Sequence, residues 1–143
     1  MIKEDCLFCK IAKGEIHSAT VYEDSHFTVI LDVNPATKGH CLIIPKEHFD
    51  NIYDLDGETA GKLFALATCI ARAMKDALKC DGLNLVQNNG EVAGQTVNHF
   101  HLHLIPRYEG DGLNLNWPQQ EISGEQLEEI RQSINCLLYT SPS

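Results

Sequence analysis

Basic residues are scarce. Eleven Lys and Arg stand against twenty Asp and Glu, a formal charge of −9 at pH 7 with His neutral. A nucleic-acid polymer or an anionic membrane surface needs a basic footprint, so neither is an expected partner. One small anion is not excluded, because a single pocket can be positive on an acidic protein. No stretch approaches the ~20 apolar residues of a membrane span. The start, MIKEDCLFCKIAKGE, has charges every few residues and no apolar h-region, so no secretory signal is expected. Internal repeats and low-complexity linkers are missing as well. What remains is the make-up of one ordinary globular domain: 143 residues, 43% apolar and 22% charged. A chain of this length buries roughly two-thirds of its unfolded surface, so it needs no disulfide staples. The six cysteines, at 6, 9, 41, 69, 80 and 136, then read as free thiols or metal ligands in a reducing, cytoplasmic setting. Residues 1–135 are expected to form a single domain. Residues 136–143, CLLYTSPS, are unlike the rest and are set aside as a C-terminal tail of non-native character.

Apolar periodicity places the elements. Residues 20–24, 26–33 and 40–44 read as strands; in the second, Phe27, Val29 and Leu31 alternate with Thr28, Ile30 and Asp32. Pro45 closes the third. Residues 57–79 give the strongest helix, with Leu63, Leu66, Ala67, Ile70, Ala73, Met74 and Ala77 on one stripe and Asp81-Gly82 as its stop. Strands follow at 83–87 and 99–105, the latter closed by Pro106, and a second amphipathic helix at about 125–138. The first connections are too short for parallel crossovers. The class is therefore α+β: a mainly antiparallel five-stranded sheet with two helices against one face.

His99, His101 and His103 carry the chemistry. Residues two apart on a strand share a face, so three imidazoles line one side while Phe100, Leu102 and Leu104 point to the other. Three readings compete. A solvated polar face would use Lys, Glu, Thr or Ser, and residues 92–106 contain no lysine or acid. A three-His metal centre uses common zinc ligands, but strand spacing hinders the rings from converging. The third reading is an imidazole nucleophile flanked by imidazoles that orient it and bind an anion. The preceding loop, Gln87 to Thr96, favours this third reading. Its glycines, amides and hydroxyl allow backbone N–H groups to approach an anion closely.

Three segments carry a resemblance: Asp5-Cys6-Leu7-Phe8-Cys9-Lys10-Ile11, Gly39-His40-Cys41-Leu42-Ile43-Ile44-Pro45-Lys46-Glu47-His48, and Gln95-Thr96-Val97-Asn98-His99-Phe100-His101-Leu102-His103-Leu104-Ile105. In this order they are similar to the histidine triad (HIT) family, and within it to the small nucleoside-phosphoramidase-like (Hint) branch. The similarity runs from about residue 6 to residue 117. It implies a hydrolase or transferase at a nucleotide α-phosphate, with a nucleotidyl-histidine intermediate. His101 falls on the nucleophile. His103 falls on a phosphate contact, and His99 offers the carbonyl that holds the His101 ring. Gln95, Thr96, Gly94 and Asn88 fall near the phosphate and leaving group. Asp32 falls on a ribose-binding carboxylate, which suits a vicinal diol. Leu7, Phe8, Ile11, Ile30 and Val33 fall on the walls around the base, and His40 on a buried histidine beside the site.

The substrate the resemblance implies is a purine nucleotide or nucleoside phosphoramidate. Pro106-Arg107, and Thr96 where that branch often has serine, keep dinucleoside polyphosphate hydrolysis open as an alternative. A nucleotide-binding scaffold with incidental catalysis is a further one. The Cys6/Cys9 pair alone is a weak metal signal. In similar sequences the partners resemble His48 and His99, which implies a structural Cys2His2 zinc and no cofactor for the chemistry itself. The family also implies a homodimer whose sheets continue across a two-fold axis, with Trp117 near the interface. His17 and His26 match no role and read as surface residues. Cys41, Cys69 and Cys80 read as small packing groups.

Overall fold

A computed structural model describes residues 5–140. Residues 141–143 of the tail, and the first four of the start, lie outside the described residues. The chain divides into two compact units, one ending at Leu113 and one beginning at Asn114. Among the described residues no helix is long and apolar enough to cross a membrane.

The first unit is built on one antiparallel sheet. Its strands are β1 (Thr20–Glu23), β2 (Phe27–Leu31), β3 (Cys41–Pro45), β4 (Gly82–Val86) and β5 (Leu102–Arg107), in the order β1-β2-β3-β5-β4. Alternation decides which side chain meets which layer. Phe27, Val29, Cys41, Ile43, Phe100, Leu102 and Leu104 pack against Leu63, Ala67, Ile70 and Met74 of the helix α2 (Gly57–Leu78). Each fully buried Ile or Leu here contributes about 1.5–3 kcal/mol. The opposite set, Ile30, Leu42 and Ile44, packs on Phe8 of a short helix, α1 (Leu7–Ala12).

The α+β class, the antiparallel sheet and both expected helices are therefore present, with four differences. The six-residue α1 is too short to show a period, so apolar spacing does not reveal it; it lies on the sheet face opposite α2. α2 stops at Leu78 on a left-handed Lys79 (φ 54°), not on Gly82, which opens β4. Ala73 and Ala77 are exposed, so its buried stripe is narrower than the periodicity implies. Pro45 and Pro106 lie within strand ends; the β3–β5 pairing covers residues 41–43 with 102–104, so neither proline is asked for a donor there.

Local chemistry fixes the joints. Asp24 accepts the backbone N–H groups of His26 and Phe27 (2.7 and 2.8 Å), turning β1 into β2. Asp56 caps α2 by accepting the Thr59 N–H at 3.0 Å. Gly39 has φ +97°, and a Cβ there would sit 2.5 Å from Leu78 Cδ1. Only glycine brings the chain into β3 under the end of α2 without strain. In the second unit, Ser123 and Gln126 form a reciprocal cap at the start of α3 (Gly124–Thr140). That helix runs through the boundary expected at residue 136.

Candidate active site: an imidazole cleft beside a thiol–imidazole cluster

One row of paired residues crosses the sheet: Thr20 beside Ile30, Ile30 beside Leu42, Leu42 beside His103, and His103 beside Val86. On the α1 face of this row lies a cleft of about 490 Å³. Leu7, Phe8, Ile11, Ile30, Asp32, Val33, Thr96, His101 and His103, all expected from the sequence, line it. Among the described residues no Lys or Arg does, so an anion there meets imidazoles and dipoles. A larger hollow, about 700 Å³, opens at the start of α2 between His26, Lys46 and Lys62. None of the triad reaches it, so the smaller cleft is the chemical candidate.

The triad is not one continuous strand face. β5 begins at Leu102, and His99 and His101 precede it. Hydrogen bonds, rather than a ladder, orient those two rings. His101 Nδ1 lies 2.7 Å from the His99 carbonyl. A carbonyl only accepts, so Nδ1 carries the proton and the neutral ring keeps its lone pair on Nε2. Burial lowers the His101 pKa, against the opposing pull of that carbonyl, and so favours the neutral ring. Phe8 meets the ring edge-on at 4.9 Å, and the His103 ring centroid is also 4.9 Å away.

His103 is set by a relay. The Ala36 N–H donates to His40 Nδ1 (3.0 Å), which leaves the His40 proton on Nε2. That N–H donates to His103 Nδ1 at 2.9 Å. His103 must then carry its own proton on Nε2, as a donor. Burial, then the neighbouring His101 and His40, hold the His103 pKa down at about 4. Asp32 closes the relay with Oδ2 3.8 Å from His40 Nε2, while its Oδ1 accepts the Asn34 N–H at 2.9 Å. The carboxylate is thus a turn residue and a cleft residue at once. Asp32, His40 and His103 each bring one ligand atom within 4.8 Å of the others. Both His40 nitrogens are already committed, so the group is a proton-ordered chain and not a ready metal site.

His99 serves a different centre. Its Nε2–H donates to the Pro45 carbonyl (2.7 Å), so Nδ1 is a lone pair. His48 repeats the pattern, its Nε2 donating to Asp50 Oδ1 at 2.7 Å. Both Nδ1 atoms point at thiols: Cys6 Sγ to His99 at 3.3 Å, Cys9 Sγ to His48 at 3.4 Å, and Cys9 Sγ to His99 at 3.5 Å. A tetrahedral zinc with bonds of about 2.3 Å to sulfur and 2.0–2.1 Å to nitrogen puts its S and N ligands about 3.5 Å apart. The four residues could therefore hold such an ion, and both imidazoles already have the outer hydrogen bonds that zinc-bound histidines use. With both nitrogens of His99 occupied, a three-His centre on the triad is not built.

Other expected residues stay out of the cleft. Gln95 is buried, accepting the Gly90 N–H (2.8 Å) and donating to the carbonyls of Asp50 (2.6 Å) and Val97 (2.9 Å). It braces the loop, and its amide is used up. Asn88 spans the same loop toward the Gly94 carbonyl at 3.5 Å, and neither residue lines the cavity. Arg107 is bound to Asp111 at 2.8 Å, to Asn84 and to the Leu113 carbonyl, and does not line the cavity either. Of the packing cysteines, only Cys41 is buried; Cys69 is exposed and Cys80 half-buried. His26 is exposed as expected. His17 is exposed too, but together with Ile16, Ser18, Asn34 and Val97 it lines the cleft, a place not expected for a surface histidine. Nothing in the spacing of a loop histidine marks it, since its position follows from the turn after α1.

An open antiparallel sheet with ordered imidazoles beside a cleft defines a class: an α+β protein with a histidine-lined site. The sequence model of the HIT domain matches residues 13–110. The chain is 47% identical to "Protein hit" of Bacillus subtilis over 141 residues, covering 96% of this chain and 97% of that one. It is 40% identical over 130 residues to adenosine 5'-monophosphoramidase HNT1 of Saccharomyces cerevisiae, covering 90% and 80%. A Zn-bound histidine triad family protein from Mycobacterium smegmatis superposes with a TM-score of 0.74 at 40% identity, covering 92% and 96%. The chain belongs to the HIT family and is a histidine triad hydrolase.

Proposed function

We propose that the protein hydrolyses purine nucleoside phosphoramidates at the α-phosphate through a nucleotidyl-His101 intermediate. The observation that carries this is the hydrogen bond from His101 Nδ1 to the His99 carbonyl, which leaves Nε2 as the free nucleophile beside His103. Nε2 attacks phosphorus, the P–N bond breaks, and the amine takes up a proton as it leaves. Water then attacks the same phosphorus, releases the nucleoside monophosphate and restores the imidazole. Splitting one displacement into two is nucleophilic catalysis. His103, a donor through Nε2, stabilises charge on a phosphoryl oxygen. Asp32 receives the ribose diol. Leu7, Phe8, Ile11, Ile30 and Val33 enclose the base, and Thr96 faces the leaving-group side. The name of the yeast relative supports an amine as leaving group. Arg107, tied into its own loop, offers no cation for the second phosphate of a dinucleoside polyphosphate.

Cys6, Cys9, His48 and His99 would hold a zinc that pins α1 to the sheet. Its role is structural, and no step of the reaction runs through it. The Cys6–Cys9 pair faces histidines rather than closing on itself, which fits a reducing, cytoplasmic setting. A homodimer is supported by the open edge at β4, where Leu85 is exposed on the α2 face, and by the outward Phe64 of α2.

The test is adduct trapping. An adenosine phosphoramidate is quenched in acid-free denaturant and the adduct mapped by mass spectrometry, with His101→Ala alongside. Adenylate on the peptide holding His101, and loss of turnover with AMP binding retained in the variant, is the expected result. Undiminished turnover in His101→Ala refutes the nucleophile.

A further inference from the structure

Within the nucleotide reading above, the sheet itself measures the ligand. From His103 on β5 to Thr20 on β1 the paired row crosses three strand spacings, about 14 Å at 4.7–4.9 Å each. The cleft follows this row on one face, its lining running from His103 through Leu42 and Ile30 to Ser18 just ahead of β1. Its phosphate end is His101 and His103. Its middle is apolar, with Phe8, Ile30 and Leu42 below and Ile11 beside them, and with Asp32 at the strand ends. The far end is formed by the segment that runs into β1. The Leu31 N–H donates to the Ala19 carbonyl at 3.0 Å, which holds this segment against the end of β2. His17 and Ser18 lie there and line the cleft.

We infer that His17 and Ser18 read the outer edge of a purine. A nucleoside monophosphate with its phosphorus at His101 and its ribose at Asp32 lays its base along the apolar middle and directs the far ring toward β1. The walls there hold the π-face but have no hydrogen-bonding groups. A purine edge carries donors and acceptors that lose water on entry and must be matched. His17 and Ser18 are polar side chains of the segment that enters β1, and both line the cleft, as does Asn34 beyond the end of β2. An imidazole offers a donor and an acceptor, and the Ser18 hydroxyl, already 3.1 Å from Thr20 Oγ1, keeps capacity for a second bond. A pyrimidine, one ring shorter, stops over Ile30 and does not reach them. The two residues therefore supply preference between base classes and not the chemistry.

Binding of AMP and UMP to the full chain and to the double variant His17→Ala/Ser18→Ala is measured by calorimetry. Both side chains are solvent-accessible, and melting temperatures confirm that the variant folds. In the variant the Kd for AMP rises about tenfold, two hydrogen bonds being removed, while the Kd for UMP stays within twofold. Equal changes for both nucleotides, or no change for AMP, overturn the assignment. Imidazole resonances of the wild-type chain give a second reading that needs no variant. AMP shifts both His101 and His17, and UMP shifts His101 alone. AMP shifting His101 without His17 overturns this inference only. AMP shifting neither defeats the nucleotide reading on which it rests.

Discussion

Removing the His40 imidazole should damage a ring it never shares with substrate. His40 passes order from the backbone to the site: it accepts the Ala36 N–H and donates to His103 Nδ1. In His40→Phe the ring volume is kept and both hydrogen bonds are lost. Two groups are left without partners. A buried orphan costs about 1–3 kcal/mol, and these sit only partly buried, so a destabilisation of about 2 kcal/mol in total is expected. The catalytic effect is bounded from two sides. Without a donor at Nδ1, His103 divides between its two neutral tautomers, and loss of half the Nε2–H form costs only about twofold. A ring no longer held in register adds misplacement, which can reach about 10²-fold. An intermediate fall of about tenfold in kcat/KM is the expected outcome.

The assay that isolates the reasoning is a long-range ¹H–¹⁵N spectrum of the imidazoles. In the wild type His103 shows a protonated Nε2 and an acceptor Nδ1, and in His40→Phe its two nitrogens move toward each other. His101, held independently by the His99 carbonyl, keeps its pattern. His40→Gln, which can restore a donor, should recover part of both signals. If His103 retains a pure Nε2–H form in His40→Phe, the relay does not set the tautomer. A loss of activity would then have to arise from packing alone.

Three further outcomes follow from the same geometry. Chelation, or Cys9→Ser, should release α1 and with it the packing of Phe8, worth about 1.5–3 kcal/mol; a unit of this size then melts about 6–15 °C lower. A melting curve indifferent to chelator in a preparation with one zinc per chain would break that link. Cys41, whose thiol burial pushes up to about 11, should resist alkylation at pH 8 while the exposed Cys69 and Cys136 react; rapid labelling of Cys41 in the folded chain would contradict it. Asp111 is held well below the usual carboxylate range by the Arg107 guanidinium and the N–H groups of Tyr108 and Leu113. A folded pKa below the unfolded one means its contribution is complete above about pH 4. That contribution fades as pH falls toward the folded value. Arg107→Ala should therefore flatten the acid limb of stability, and an unchanged limb would remove the pair from the account.

Much of the fold was legible because its signals are periodic. Phe27, Val29, Cys41 and Ile43 alternate toward α2, and Leu63, Ala67, Ile70 and Met74 recur at helical spacing, so sheet and helix could both be read. What escaped was non-periodic. α1 has six residues and owes its existence to tertiary partners: Phe8 against Ile30, Leu42 and Ile44, and two cysteines facing His48 and His99. A segment stabilised by its far neighbours leaves no trace in its own spacing. The left-handed Lys79 is a similar case, since the next residues promised a glycine stop and the chain turned earlier.

The site divides along the same line. Alternation correctly set the three imidazoles apart from Phe100, Leu102 and Leu104, but it cannot say which atom of each ring faces where. That is decided by groups distant in sequence: the Pro45 carbonyl turns His99 toward the thiols, the His99 carbonyl turns His101, and His40 turns His103. Each ring is held by an acceptor or donor that fixes one tautomer, and the three tautomers differ in use: a lone pair toward sulfur, a lone pair left free on Nε2, a proton left free on Nε2. Gln95 fails as a cleft residue for the same reason, its amide being consumed by Gly90, Asp50 and Val97. A motif therefore specifies which residues stand together, and the hydrogen bonds around it specify what each can do. Identical histidines two residues apart differ in which lone pair or proton each leaves exposed, because the groups around them, two backbone carbonyls and one imidazole side chain, are different.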